Sequence, residues 1–235
     1  NDQGLPTTIL NAPDDVEAMV LEMGMRGFGE ISRLCSIARP HVGVVTAVAA
    51  AHTERVGGLD GVEKAKGELV EALPASGTAI LNGDDPRVAR MASRTSAHVV
   101  TYAMTTTADV AMTSQSMDAD GAVTMSVTSP WGDVTVRVPA AGVHMASNAL
   151  AALAIAGVCG VPIADAARGL ESARLSPMRM ENHVTVGGAR VVADCYNANP
   201  ASVAAALRTL AALQANRRIA VLGVMAELAD EAVEH

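Results

Sequence analysis

Short apolar runs alternate with segments of helical period in this chain, and this alternation limits its possible folds more than any other feature. Apolar runs of strand length occur at 41–48 and 78–82, and residues 62–73 between them carry a helical pattern. Strands that alternate with helices at this spacing are typical of βαβ units. We therefore predict an α/β fold with a mostly parallel sheet and flanking helices.

The alternation begins with an apolar run at 16–23, which predicts a buried strand, followed by a glycine-spaced turn at 24–29. A helical pattern follows the turn and stops before Pro40, because the residue before a proline is disfavoured in a helix. The turn could bind an anion at the helix N-terminus. Its spacing is, however, neither the dinucleotide fingerprint nor the phosphate loop.

The pattern changes in the middle of the chain. Valine and methionine alternate with polar residues at 123–127 and 134–138, which predicts a small antiparallel meander. Helices are predicted at 144–158 and 162–172. The uncharged run at 138–164 contains prolines and much alanine, so we interpret it as buried helix and expect no membrane insertion.

The last part of the chain returns to strand and helix patterns. Strands are predicted at 182–186, 189–194 and 218–222, and Asn199 is the predicted N-cap of a helix opened by Pro200. We predict a domain boundary near residue 175. Residues 1–175 then form one domain, and 176–235 form the start of a Rossmann-like domain.

Composition excludes some classes of protein. There are 17 Lys and Arg against 25 Asp and Glu, a net charge of −8, and aromatic residues make up only 2%. An acidic chain with few aromatic residues is not expected to bind nucleic acid. Its three cysteines, Cys35, Cys159 and Cys195, form no CxxC pair, which favours a reducing compartment such as the cytoplasm.

Candidate site residues lie where the predicted strands end. Glu22 ends the first strand and His52 follows the second, and such a pair could ligate Mg²⁺ or Mn²⁺. Alternatively, Glu22 is a buried carboxylate that accepts hydrogen bonds from backbone amides, and His52 is a structural or exposed side chain without a ligand. Lys66 lies among charged neighbours on a predicted helix, where a solvated side chain is the default expectation.

Three more polar residues are candidates for a ligand site. Asn148 is one of few polar groups on its predicted helix, where it could cap the helix or bind a ligand. Arg179 and Asp194 flank the first strands of the second domain. Arginine suits phosphate oxygens, and aspartate suits ribose hydroxyls or an amine.

Taken in order, these segments resemble the Mur ligase family over essentially the whole chain. The motifs that carry the resemblance are NDQGLP at 1–6, EMGM at 22–25, IARP at 37–40, AHTE at 51–54, AKGE at 65–68, LNGDDP at 81–86, GVHMASNAL at 142–150 and DCYNANPAS at 194–202. The last motif is the most selective. It is similar to that of the family members that add D-Ala-D-Ala to UDP-N-acetylmuramoyl-tripeptide.

This resemblance implies an ATP-dependent acid–amino-acid ligase of peptidoglycan precursor synthesis, cytoplasmic and monomeric. In this family a substrate carboxylate attacks the γ-phosphate of ATP, and the incoming amine captures the acyl phosphate. The implied roles are as follows: Glu22 and His52 bind Mg²⁺, Lys66 is carbamylated and supports a second Mg²⁺, Asn148, Arg179 and Asp194 contact ATP, and Asn197 and Asn199 lie beside the acceptor amine.

The chain also departs from the family pattern. The family's phosphate loop precedes the position of Asn1, so we expect residues 1–235 alone not to catalyse ligation. Met145 and Val224 stand where the family usually has Asn and Asp. Two alternatives stay open: another Mur or folylpolyglutamate-type amide ligase, and a non-catalytic relative that lacks the phosphate loop.

Overall fold

The structure is a computed structural model that describes residues 1–49, 56–118, 121–142, 144–174 and 176–225. Its largest feature is a six-stranded sheet in the order β1-β2-β3-β4-β5-β6. The strands are β1 (Val42–Val45), β2 (Thr78–Asn82), β3 (His98–Ala103), β4 (Val110–Met117), β5 (Ala122–Thr128) and β6 (Val134–Ala141). The pairs from β1 to β4 are parallel, and β4, β5 and β6 pair antiparallel. The predicted meander is thus a continuation of the mostly parallel sheet.

Helices cover both faces of this sheet. Those of the described residues are α1 (Gly4–Leu10), α2 (Glu30–Ala38), α3 (Leu59–Glu71), α4 (Pro86–Ala89), α5 (His144–Val158), α6 (Ile163–Glu171) and α7 (Pro200–Ala212), with a 3-10 turn at Arg90–Arg94. Along β2, Ile80 packs into the apolar cluster that contains α5, whereas Ala79 and Leu81 pack into the cluster on the α3 side. This period of two buries both faces of the strand, as expected for a parallel sheet.

The strand predicted at 16–23 is wrong. The segment pairs with no strand of the described residues, and Val16, Met19 and Val20 are 41%, 44% and 89% exposed. A strand is stable when a neighbour satisfies its backbone groups and one of its faces is covered. The apolar run does not specify such a neighbour, so the pattern alone predicted a strand where none forms.

The C-terminal part contains a second, smaller sheet. Strands β7 (Glu181–Val184) and β8 (Arg190–Ala193) pair antiparallel. The strand predicted at 218–222 is wrong, because these residues have no strand partner in the described part and Val221 is 93% exposed. The Rossmann-like character of 176–235 stays a prediction, since no parallel pair forms within 176–225.

The structure shows the state of the three cysteines and the elements formed by the long uncharged run. Cys35, Cys159 and Cys195 are free thiols. Burial, with a smaller contribution from the Glu68 charge, raises the pKa of the Cys35 thiol to about 11. The run at 138–164 is divided between β6, α5 and α6. In the part of the chain that the structure describes, every helix is too short or too polar to cross a membrane.

Candidate active site

The side chain of Lys66 turns inward from α3 to the carboxyl end of β1. The lysine is half-buried, and its Nζ donates a hydrogen bond to the Ala47 carbonyl at 2.6 Å. Burial lowers the pKa of Lys66, and the charge of Asp85 partly opposes this shift. The expectation of a solvated lysine is therefore wrong, because residues 46–48 cover this side of α3.

Three consecutive residues at the end of β1 are held by three different side chains. The bonds are Asn82 Nδ2 to the Thr46 carbonyl (2.8 Å), Lys66 Nζ to the Ala47 carbonyl (2.6 Å) and the Val48 N–H to Asp85 Oδ2 (2.7 Å). We call residues 46–48 with these side chains the β1 clamp. The clamp joins β1, β2, α3 and the loop before α4 into one unit.

The turn at 24–29 does bind an anion at the start of α2, but the anion is part of the chain. The Glu68 carboxylate accepts hydrogen bonds from the Gly29 N–H (2.7 Å) and the Ser32 N–H (3.1 Å). A carboxylate at a helix N-terminus satisfies unpaired N–H groups and interacts favourably with the helix dipole. Glu68 therefore anchors the turn that follows Glu22 to α3.

The described residues do not test whether the expected metal ligands Glu22, His52 and Lys66 meet. Glu22 is exposed and lies outside any strand. His52 lies outside the described residues, so its place relative to Glu22 and Lys66 is untested. Across 1–49, 56–118, 121–142, 144–174 and 176–225, there is no group of three or more His, Cys, Asp or Glu side chains that could hold a metal ion.

Arg179 and Asp194 lie close together at the start of the second sheet. The Arg179 guanidinium lies 4.4 Å from the centroid of the Tyr196 ring, a cation–π contact. Asp194 Oδ1 accepts a hydrogen bond from the Met180 N–H at 3.2 Å. The exposed Arg179 guanidinium is thus stacked on Tyr196, and the Asp194 carboxylate bonds the residue after Arg179.

Asn148 lies in the first turns of α5 and is exposed, with its Nδ2 3.7 Å from the Met145 sulfur. His144 is the first residue of α5. Burial lowers the pKa of His144, and the charges of Asp194 and Arg208 act on it in opposite directions. Among the described hydrogen bonds, Asn148 makes none to Arg179 or Asp194.

The two asparagines expected beside the acceptor amine use their side chains locally. Asn197 Oδ1 accepts a hydrogen bond from the Ala198 N–H at 3.0 Å. Asn199 is the N-cap of α7, as predicted, in a reciprocal capping box with Ser202. Both side chains fix the backbone of 197–202, so any role in substrate binding is additional to this one.

Sequence reasoning missed several residues that organise the site. The pair Asp85-Pro86 in the sequence predicts only the N-cap and first turn of a helix. Asn82, Glu68 and Tyr196 had no predicted role beyond the motifs that contain them. Their partners lie across the fold, at separations of 36 to 39 residues for the bonds of Asn82, Asp85 and Glu68. No local spacing rule contains such a signal.

Comparison with known proteins defines the class to which this fold and site belong. Residues 1–156 match the family model of the Mur ligase middle domain, and residues 178–235 match that of the Mur ligase glutamate ligase domain. The chain belongs to the Mur ligase family.

Relatives that carry one particular name match the whole chain. The UDP-N-acetylmuramoyl-tripeptide–D-alanyl-D-alanine ligase of Mycobacterium tuberculosis is 38% identical over 242 residues, which cover 100% of this chain and 48% of the relative. The Bacillus subtilis ligase of the same name is 34% identical over 231 residues, which cover 98% of this chain and 49% of the relative. The chain thus spans about half the length of the curated relatives that it matches.

Solved structures with the same fold include two of MurF. A crystal structure of MurF from Acinetobacter baumannii has a TM-score of 0.93 at 30% identity, covering 100% of this chain and 51% of that one. The structure of MurF ligase from Thermotoga maritima in complex with ADP has a TM-score of 0.85 at 25% identity, covering 98% of this chain and 53% of that one.

Proposed function

We propose that the complete gene product carrying this chain is an ATP-dependent ligase that joins D-Ala-D-Ala to UDP-N-acetylmuramoyl-tripeptide in peptidoglycan precursor synthesis. The observation that carries this proposal is the match of the whole chain, at 38% identity, with enzymes named for that reaction. We further propose a domain boundary near residue 175, a monomeric state and a cytoplasmic location. The gap between the two matched family models, at 157–177, supports the boundary.

ATP supplies the phosphoryl group that activates the substrate carboxylate for attack by the amine. We propose that Arg179 neutralises phosphate charge and that Asp194 accepts a hydrogen bond from a ribose hydroxyl, with Asn148 as a further nucleotide contact. The grouping of Arg179, Tyr196 and Asp194 supports this assignment. Asn197 and Asn199 are proposed to border the acceptor amine, where the backbone that they fix would line the cleft.

Mg²⁺ is proposed to bind Glu22, His52 and a carbamylated Lys66. Glu22 and Lys66 lie within the described residues and His52 does not, and Lys66 Nζ donates a hydrogen bond to the Ala47 carbonyl. The lowered pKa of Lys66 supports carbamylation, because only the neutral amine reacts with carbon dioxide.

ADP release by the complete gene product tests this function. We expect steady release only when UDP-N-acetylmuramoyl-tripeptide and D-Ala-D-Ala are both present, and none from residues 1–235 alone. Replacing D-Ala-D-Ala by diaminopimelate or L-glutamate distinguishes other amide ligases. Release that prefers one of those amines would assign a different member of the family, and no release with any amine would favour a non-catalytic relative.

A further inference from the structure

Lysine side chains are flexible, so the position of the Lys66 amine depends on what it binds. Its acceptor, the Ala47 carbonyl, belongs to the β1 clamp, and the residues on both sides of Ala47 are held by other side chains. A carbonyl that is fixed on both sides has a fixed direction. The amine bonded to it is then also fixed.

Asn82 and Asp85 each use one polar atom to bond a residue of 46–48 and the other to bond the backbone of their own local turn. Asn82 Oδ1 accepts from the Asp84 N–H at 3.0 Å, while its Nδ2 bonds the Thr46 carbonyl. Asn82 is only 8% exposed, so loss of either bond would leave a poorly solvated polar group.

Asp85 divides its two oxygens in the same way. Its Oδ1 accepts from the Arg87 N–H (2.9 Å) and the Val88 N–H (3.3 Å) and so caps α4, while its Oδ2 accepts from the Val48 N–H. The local bonds orient the side chain, and the second oxygen then has one direction in which to bond residues 46–48.

We propose that Asn82 and Asp85 are positioning residues for Lys66, because together they fix the carbonyl that orients its amine. This inference rests on the proposed function, in which Lys66 belongs to the reacting site. It adds two residues that act on the reaction through Lys66 rather than through contact with substrate.

Isosteric substitutions can break one bond of the clamp at a time. Asp85→Asn keeps an oxygen for the α4 cap and places an amide NH₂ against the Val48 N–H. Asn82→Asp keeps an oxygen for the Asp84 N–H and places a second oxygen against the Thr46 carbonyl. Asp109→Asn is the matched control, because Asp109 also accepts from a backbone N–H, that of Thr101, but does not touch the clamp.

The first measurement uses the 235-residue chain, whose two lysines are Lys64 and Lys66. Lys64 is exposed on the same helix and serves as an internal reference for acetylation by limiting acetic anhydride, read by peptide mass spectrometry. Asp85→Asn removes a charge that raises the pKa of Lys66 and Asn82→Asp adds one nearby, so charge alone would shift the Lys66 to Lys64 acetylation ratio in opposite directions. Release of the amine from the clamp should instead raise the ratio about threefold or more in both variants, as expected from loss of a hydrogen bond. Asp109→Asn should not change it.

A ratio that is unchanged in both folded clamp variants, or that rises only in Asp85→Asn, would overturn the proposal. Circular dichroism and thermal unfolding establish that each variant is folded. If Asp85→Asn does not fold, Asp85→Ser keeps a capping oxygen and removes the bond to Val48. Asn82→Asp tests the other side of Ala47 independently.

The second measurement uses the complete gene product and separates kcat from KM. We expect both clamp variants to lower kcat about tenfold or more, with KM for ATP and for D-Ala-D-Ala within about twofold of wild type. Asp109→Asn should leave both constants unchanged. A normal kcat in variants whose acetylation ratio rises would overturn the proposal. If the wild-type product ligates no amine, the proposed function fails, and the acetylation ratio still tests the position of Lys66.

Discussion

Helices α3 and α7 both have 13 residues and both adjoin candidate site residues, yet they are held in different ways. Helix α3 completely buries Val62, Ala65 and Val70, and its Lys66 and Glu68 bond backbone far away in the sequence. Helix α7 buries Thr209 and is otherwise fixed by a capping box at its own start. Tertiary contacts therefore fix the Lys66 side of the site, whereas local bonds fix 197–202.

This difference predicts how far from a substituted residue the structure is destabilised. A change at a side chain that joins distant segments should destabilise the whole sheet domain, whereas a change at a local cap should affect its own helix. The predictions below test that distinction from the largest expected effect to the smallest.

Gly67→Ala should have the largest effect on stability. A Cβ at Gly67 would collide with the Arg94 guanidinium, which bonds the Glu63 and Lys64 carbonyls of α3. We expect the free energy of unfolding to fall by about 2 kcal/mol, because the Arg94 side chain must move and lose these hydrogen bonds, a loss that the helix preference of alanine only partly offsets. Urea denaturation of purified variants measures it.

Gly169→Ala is the matched control for this change. Gly169 lies in α6, and its Cβ would meet no atom within 4 Å. Because alanine favours a helix over glycine, this variant should gain about 0.5–1 kcal/mol. If Gly67→Ala were as stable as Gly169→Ala, the long-range bonds of Arg94 to α3 would not contribute to stability.

Glu68→Gln should have the next largest effect, because it removes the charge that binds the start of α2. The amide keeps one oxygen for the two N–H groups that the carboxylate now bonds. We expect a loss of about 1–2 kcal/mol, with faster hydrogen exchange at Gly29 and Ser32, 36 to 39 residues from the substitution. Exchange that increases only within α3 would contradict a long-range role.

Asn199→Ala should cost about 1 kcal/mol, the usual value of an N-cap. Its effect should stay local, with faster hydrogen exchange in the first turn of α7 and no change at Gly29 or in the sheet. Exchange that increases across β1 to β3 would show that α7 is coupled to the sheet more strongly than its contacts indicate.

Asp84 should make a small, pH-dependent contribution. Partial burial raises the pKa of this carboxyl, but hydrogen bonds from Thr105 and from the backbone of 104–106 outweigh burial and lower it. A pKa lowered by folding contributes stability above the unfolded pKa, and this contribution is lost as pH falls through the folded pKa.

Asp84→Asn should therefore differ most from wild type near neutral pH, and the difference should shrink below about pH 4. Urea midpoints across this range measure it. Asn199→Ala is the reference, because a neutral cap should cost about the same at each pH. A difference at Asp84 that stays constant down to about pH 2 would contradict a charged role.

The same contrast explains what the sequence could predict. The start of α7 was predictable because Asn199, Pro200 and Ser202 are neighbours with well-known helix-start preferences. Strand β2 was predicted at its observed bounds, Thr78–Asn82, because its apolar run is buried on both faces. The runs at 16–23 and 218–222 look similar in the sequence, but neither has a strand partner in the described part.

The candidate site was predictable only in its residue types. Residue spacing favoured a solvated Lys66, and the resemblance to the Mur ligases alone gave it a role. The bond to Ala47 crosses 19 residues, and the bonds of Asn82 and Asp85 to residues 46 and 48 cross 36 and 37. Such contacts depend on how β1, β2 and α3 pack, which local patterns do not specify.

One measurement tests the central claim, that the Lys66 side of the site supports the reaction. The kcat of the complete gene product is measured for Lys66→Ala and for Lys64→Ala, two residues away on the exposed face of α3. We expect Lys66→Ala to lower kcat by at least about a hundredfold in a folded protein and Lys64→Ala to leave it unchanged. A kcat for Lys66→Ala within about threefold of wild type would contradict the claim.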